Sequence, residues 1–162
     1  MTPPALIFAY GNPSRGDDAL GPLFLERAST QFSAEISAGA LELLGDFQLQ
    51  VEHALDLVHR TSVLFVDASV SCAEPFAPTE ALPARDTSFT SHSLTPAALL
   101  HVYDSTTTAP RPRAWVLAIR GYGFELGEGL STRAAANLDA ALAWSRDWVA
   151  HSVRTRNRKR RG

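Results

Sequence analysis

The sequence predicts an α/β fold: one domain with a mostly parallel twisted sheet and helices on both faces. Two observations carry this. Short apolar runs suited to buried strands alternate with segments of helical period. The clearest run, Val63-Leu64-Phe65-Val66, is apolar at every position, as a strand covered on both faces requires. The length, 162 residues and 17.5 kDa, fits a single domain able to bury a sizeable core.

Ala5 to Tyr10 predicts the first strand, entering the turn-rich loop Gly11-Asn12-Pro13-Ser14-Arg15-Gly16. Leu20 to Phe32 predicts a helix. It must start near Asp18 to Gly21, because Pro22 is tolerated only in a first turn. Ala40 to Leu44 is a weaker strand, Leu49 to Val58 a helix, and Ser62 to Val66 a strand running into Asp67. Residues 73–91 read as a loop-rich excursion with an edge strand near Thr79 to Leu82. Thr95 caps a helix that starts at Pro96 and runs to about Tyr103. Ala114 to Ile119 is a buried strand, and Ser131 caps a final helix over 132–150. The domain spans 1–153, and 154–162 reads as a basic, disordered tail.

The formal charge of -2 hides a division. Six of the 15 Lys and Arg lie in 154–162, which leaves nine cations against 17 acids, a net of -8, in the body. An acidic body is poorly matched to phosphate backbones, so nucleic acid is not expected as a partner. No run has transmembrane length and no leader-like segment opens the chain, so a cytoplasmic location without membrane association is expected. Cys72 is the only cysteine, which excludes an intramolecular disulfide and a Cys-based zinc cluster.

In a parallel α/β sheet, ligands bind beyond the carboxyl ends of the strands. Here those ends carry the loop Gly11–Asp18, Asp67, and the loop from Arg120. The first loop has the glycine gap of a P-loop, but Asp17-Asp18 stand where Lys-Ser/Thr belong, and acids repel phosphate. Adjacent acids suit a cation; equally, either acid can cap the following helix. Asp67 ends a buried strand, where a carboxylate needs a partner or a metal. His53 and His59 are expected to face different directions, whereas His92 lies in a loop before a capped helix. Two carboxylates and an imidazole would form an open site for a transition metal, although a loop histidine is more often a surface residue than a ligand, and spacing alone supports the metal weakly. Cys72 reads as a small buried hydrophobe, and no GxSxG elbow is present.

Taken together, these segments resemble the nickel-iron hydrogenase maturation endopeptidases. The resemblance rests on Gly11-Asn12 followed by Asp17-Asp18-Ala19-Leu20-Gly21, on Phe65-Val66-Asp67-Ala68, on Ser91-His92 with Leu99-Leu100, and on Gly121 to Ser131. It covers roughly residues 5–150 in consistent order. Two departures stand out: Ala9 and Ala19 replace glycines of the opening motif, which would strain the backbone if either needed a positive φ. The stretch Asp46 to Glu52 replaces a Gly-Gly-Thr element and resembles the branch serving soluble, cofactor-reducing hydrogenases. The resemblance implies an endopeptidase that removes the C-terminal extension of a [NiFe]-hydrogenase large-subunit precursor after nickel insertion. It assigns metal contact and catalysis to Asp18, Asp67 and His92, leaving Asp17 to cap or brace the loop. It also implies that the nickel is carried by the substrate, with no tightly bound metal of the protein's own. The alternative is a non-cleaving checkpoint that binds the nickel-loaded precursor.

Overall fold

A computed structural model describes residues 1–85 and 94–160, with residues 155–160 as backbone alone. Five strands form one sheet in the order β2-β1-β3-β5-β4. They are β1 (Ala5–Tyr10), β2 (Leu41–Asp46), β3 (Ser62–Ser69), β4 (Phe76–Ala81) and β5 (Arg113–Arg120). The first three and β5 are mutually parallel, and β4 joins β5 antiparallel at one edge. Pro78, which cannot donate to a ladder, sits on that edge strand, in keeping with the sequence expectation.

The helices are α1 (Leu20–Gln31), α2 (Ser33–Ser37), α3 (Pro96–Thr106) and α4 (Thr132–Arg160). Alternation of side chains along the strands divides the core in two. Ile7, Leu64, Val66 and Leu117 point to one face, where Phe24 of α1 and Leu138 and Leu142 of α4 cover them. Leu6, Phe8, Val63 and Phe65 point to the other, covered by Leu99, Leu100 and Tyr103 of α3 and by Ala54 and Leu57. Both faces of the central strands are therefore dry, which explains why Val63 to Val66 has no polar position.

Local chemistry sets the ends of the helices. Thr95 Oγ1 accepts the Ala98 N–H at 3.1 Å, and Ser131 Oγ accepts the Ala134 N–H at 3.2 Å, so both expected caps are present. Three elements differ from the sequence reading. Val51–Leu57 is a 3-10 helix, and the short α2 follows α1 after a break at Phe32. The final helix, expected over 132–150, continues through Arg160 into the segment read as a tail. Arg and Lys are good helix formers, and positive charge at a helix carboxyl end complements its dipole. Among the described residues no helix is long and apolar enough to cross a membrane.

Candidate active site

Three strand ends and one loop converge at the carboxyl edge of the sheet. After β1 the chain turns through Gly11 to Arg15 into a 3-10 helix, Gly16–Ala19, that carries the adjacent acids. Tight backbone packing fixes this loop. A Cβ on Gly11 would stand 2.1 Å from the Asp18 carbonyl oxygen, and one on Gly16 (φ +51°) 2.3 Å from that of Gly123. Only glycine fits either position. Ala9 and Ala19 cause no strain: Ala19 has φ -70°, and His59 is the only non-glycine with positive φ among the described residues.

Asp17 and Asp18 have opposite surroundings. Asp17 is fully buried. Its carboxylate accepts the N–H groups of Tyr122 (2.7 Å), Gly123 (3.1 Å) and Ser131 (2.8 Å), and the Ser131 hydroxyl (2.8 Å). Burial alone would raise its pKa, but these bonds, led by those of Ser131 and Tyr122, outweigh it and hold the carboxyl below its ordinary range. Asp17 therefore braces the β5–α4 connection against the first loop. It makes no capping bond to its own helix.

Asp18 is half-buried, and its Oδ2 accepts the Asn12 N–H at 2.7 Å. It lies near Asp67, in the last part of β3, closely enough for its charge to act there. Burial first, and the Asp18 charge second, push the Asp67 carboxyl up to about 7 against the opposing pull of the Ala68 N–H. Among the described residues no ion pair involves either carboxylate. Two carboxylates whose repulsion no neighbouring cation relieves are a donor set matched to a divalent metal. His92 lies outside the described residues. Among those described, no cluster of three or more His, Cys, Asp or Glu could hold a metal. Cys72 is half-buried and takes no part, its thiol directed at the Ala118 carbonyl at 3.6 Å.

Two features escaped the sequence reading. Tyr10 ends β1 on the same face as Phe8, and Asp67, two residues before the end of β3, shares the face of Phe65, so both side chains lie on the α3 side of the sheet. Burial and then the Asp67 charge drive the Tyr10 phenol above its ordinary range, so it remains an O–H donor. Strand periodicity places Tyr10 beside Asp67; nothing in its apolar surroundings in sequence marks it.

The second feature is His53. Its Nδ1 accepts the Gln50 N–H at 2.8 Å, so the ring proton sits on Nε2 and is donated to Asp46 Oδ2 at 3.1 Å. The imidazole stands edge-on to Phe8, with centroids 4.6 Å apart. It thereby fixes the end of β2, whose Asp46 carbonyl accepts the Gly11 N–H at 3.2 Å. His59 is exposed and turned elsewhere, as expected.

No family model matches the sequence, and no curated protein matches it at a meaningful level of similarity. Solved structures do. The hydrogenase maturating endopeptidase HybD from E. coli aligns with a TM-score of 0.68 at 18% identity, covering 91% of this chain and 93% of that one. The [NiFe] hydrogenase maturation protease HycI from Thermococcus kodakarensis gives 0.66 at 19% identity, covering 94% and 93%. An endopeptidase from Escherichia coli gives 0.64 at 20% identity, covering 93% and 92%. The chain thus has the fold of the hydrogenase maturation proteases over nearly its whole length.

Proposed function

We propose that this protein is an endopeptidase that removes the C-terminal extension of a [NiFe]-hydrogenase large-subunit precursor once nickel is in place. One observation carries the reading: at the carboxyl edge of the sheet Asp18 lies close enough to Asp67 for its charge to act there, and among the described residues no ion pair relieves either acid. The motif order of the sequence and the fold shared with maturation proteases support it.

The nickel belongs to the substrate. Asp18 and Asp67 offer carboxylate oxygens to positions that the substrate's own ligands leave open, and His92 joins them as the third donor. Docking on the ion places the scissile amide beside the acid pair, and this proximity supplies much of the rate. Hydrolysis then adds water across the amide. The water oxygen bonds to the carbonyl carbon, its proton passes to a carboxylate, and the C–N bond breaks as the amine takes up a proton. A carboxylate of the pair can both accept and return that proton. Tyr10 donates from the same face and orients whatever oxygen Asp67 holds. The stretch Asp46 to Glu52 bears on which hydrogenase is served, and its resemblance favours the soluble, cofactor-reducing kind.

The test is incubation with candidate precursors, nickel-loaded and nickel-free, read by mass spectrometry of the precursor's C-terminus. Shortening of a nickel-loaded precursor alone, lost in Asp67→Asn and His92→Ala with the fold intact, is expected. Binding without shortening would instead identify a non-cleaving checkpoint. Normal trimming by Asp67→Asn would overturn the assignment of the site.

A further inference from the structure

A cavity of about 460 Å³ lies at the opposite end of the sheet from the acid pair, between the amino ends of β3 and β5 and the middle of α4. We infer that it binds a small organic cation of the quaternary ammonium class. The inference does not rest on the endopeptidase reading. Thr61 and Ser62 line the cavity, and from Ser62 to Asp67 the strand advances about 17 Å, so the two sites are separate.

The walls are aromatic. Trp115 of β5 and Trp144 and Trp148 of α4 line the cavity, and these are all three tryptophans of the chain. Two periodicities bring them together. Trp115 shares the α4 side of the sheet with Leu117, while Trp144, Asp147 and Trp148 recur at helical spacing on one side of α4. Each indole is half-buried: part of it packs against the core, and the rest borders the cavity. Among the described residues none of the three pairs ring to ring with another, and the aromatic neighbour of Trp144 is Phe76, at a centroid distance of 6.2 Å. Indole is the side chain whose face attracts a cation most strongly.

Charge selects the sign of the ligand. Besides His151, the ionisable residues lining the cavity are Arg113 and Asp147. Arg113 is engaged, its Nε donating to Glu80 Oε1 on β4 at 3.3 Å. Asp147 is exposed and makes no ion pair among the described residues. A cation held among the indoles supplies the charge that Asp147 lacks.

Size and lining select the class. The volume lies in the range of small-molecule pockets. A primary ammonium brings three N–H donors that an indole wall cannot satisfy. A quaternary ammonium brings none, and its alkyl groups cover the apolar ring surface while the charge stays close to the ring faces.

Because every tryptophan borders the cavity, indole fluorescence of the full-length protein reports on this site alone. Choline is the probe, and the control is its uncharged isostere, in which a tert-butyl group replaces the trimethylammonium group. Choline should change the fluorescence saturably with a Kd of about 1 mM or tighter, and the isostere should bind about tenfold more weakly. Asp147→Asn, at an exposed position, should weaken choline binding about threefold, and Trp148→Leu about tenfold, with circular dichroism checking that each is folded. The comparison of choline with its isostere uses the wild type, so it decides the matter even if Trp148→Leu fails to fold. No saturable change up to about 20 mM choline, equal binding of the isostere, or unchanged choline binding in Asp147→Asn would overturn the inference. Tighter binding of acetyl-arginine-amide than of choline would also overturn it, by making the cavity a seat for a protein side chain.

Discussion

Asp17 and Asp18 are neighbours in sequence with the same side chain, yet the fold uses them in opposite ways. Asp17 is surrounded by four donors and is fully buried, so its negative charge is neutralised by protein dipoles. Among the described residues, Asp18 accepts one backbone N–H and lies near enough to a second carboxylate for the two charges to repel. A satisfied buried carboxylate holds structure together, and a frustrated pair is kept for a ligand. The difference shows that two adjacent acids need not form one chelating unit. Here one of them anchors the loop that aims the other.

The comparison breaks if the two residues respond alike to substitution. The largest effect is expected for Asp18→Asn, which keeps the shape and removes the charge. Precursor trimming should fall about a thousandfold while Tm moves by no more than about 2 °C, read from an endpoint trimming assay beside a thermal melt. Asp17→Asn should show the reverse pattern. Its amide meets N–H donors with an NH2 group, so chemical denaturation should show a loss of about 3 kcal/mol. Any loss of trimming should then recover under stabilising conditions.

The pH dependence sharpens the contrast, because the two sites have opposite signs. Asp17 has a depressed carboxyl, so its contribution is present above the ordinary value of 3.8 and disappears as pH falls below it. Asp67 has a raised one, so the folded chain holds a proton that the unfolded chain has released between 3.8 and about 7. Stability therefore drops as pH rises through that window. In substrate-free protein, Asp67→Asn should be more stable than wild type by about 2 kcal/mol at pH 8, a figure reduced for the partial solvation of the carboxylate, with the two alike at pH 4. Urea titrations at both pH values measure this, and a constant difference would show that the Asp67 carboxyl is not strained. The smallest effect is expected for Ser131→Ala, which loses both the cap on α4 and one bond to Asp17. A cost of about 1.5 kcal/mol, with Ser131→Thr recovering most of it, would separate the brace from simple packing.

The fold was legible because its signals are local. Apolar runs such as Val63 to Val66 mark strands buried on two sides, and Thr95-Pro96 and Ser131 mark helix starts that the structure retains. The assignment of a brace to Asp17 and of the cleft to Asp18 came from the resemblance, since spacing alone allowed either acid to cap. The partners of Asp17 explain why: they lie 105 to 114 positions away and leave no trace in nearby sequence. In sequence His53 looks like one more helical histidine, because its link to Asp46 depends on a 3-10 turn that periodicity mistakes for α-helix. Tyr10 became visible only when strand register set it beside Asp67. The continuation of α4 past residue 150 depends on a polar, basic segment whose helical preference a hydrophobic stripe does not reveal.

The span between Asp17 and Ser131 also fixes an order of events during synthesis. Asp17 emerges from the ribosome early, but the groups that hold it are made only when residues 122 to 131 have been added. Until then its carboxylate has none of these partners, and the loop presenting Asp18 lacks this anchor. The first-made part of the active site is therefore the last to be set in place, and a nascent chain halted before residue 121 can carry every residue of the acid pair without being able to aim it.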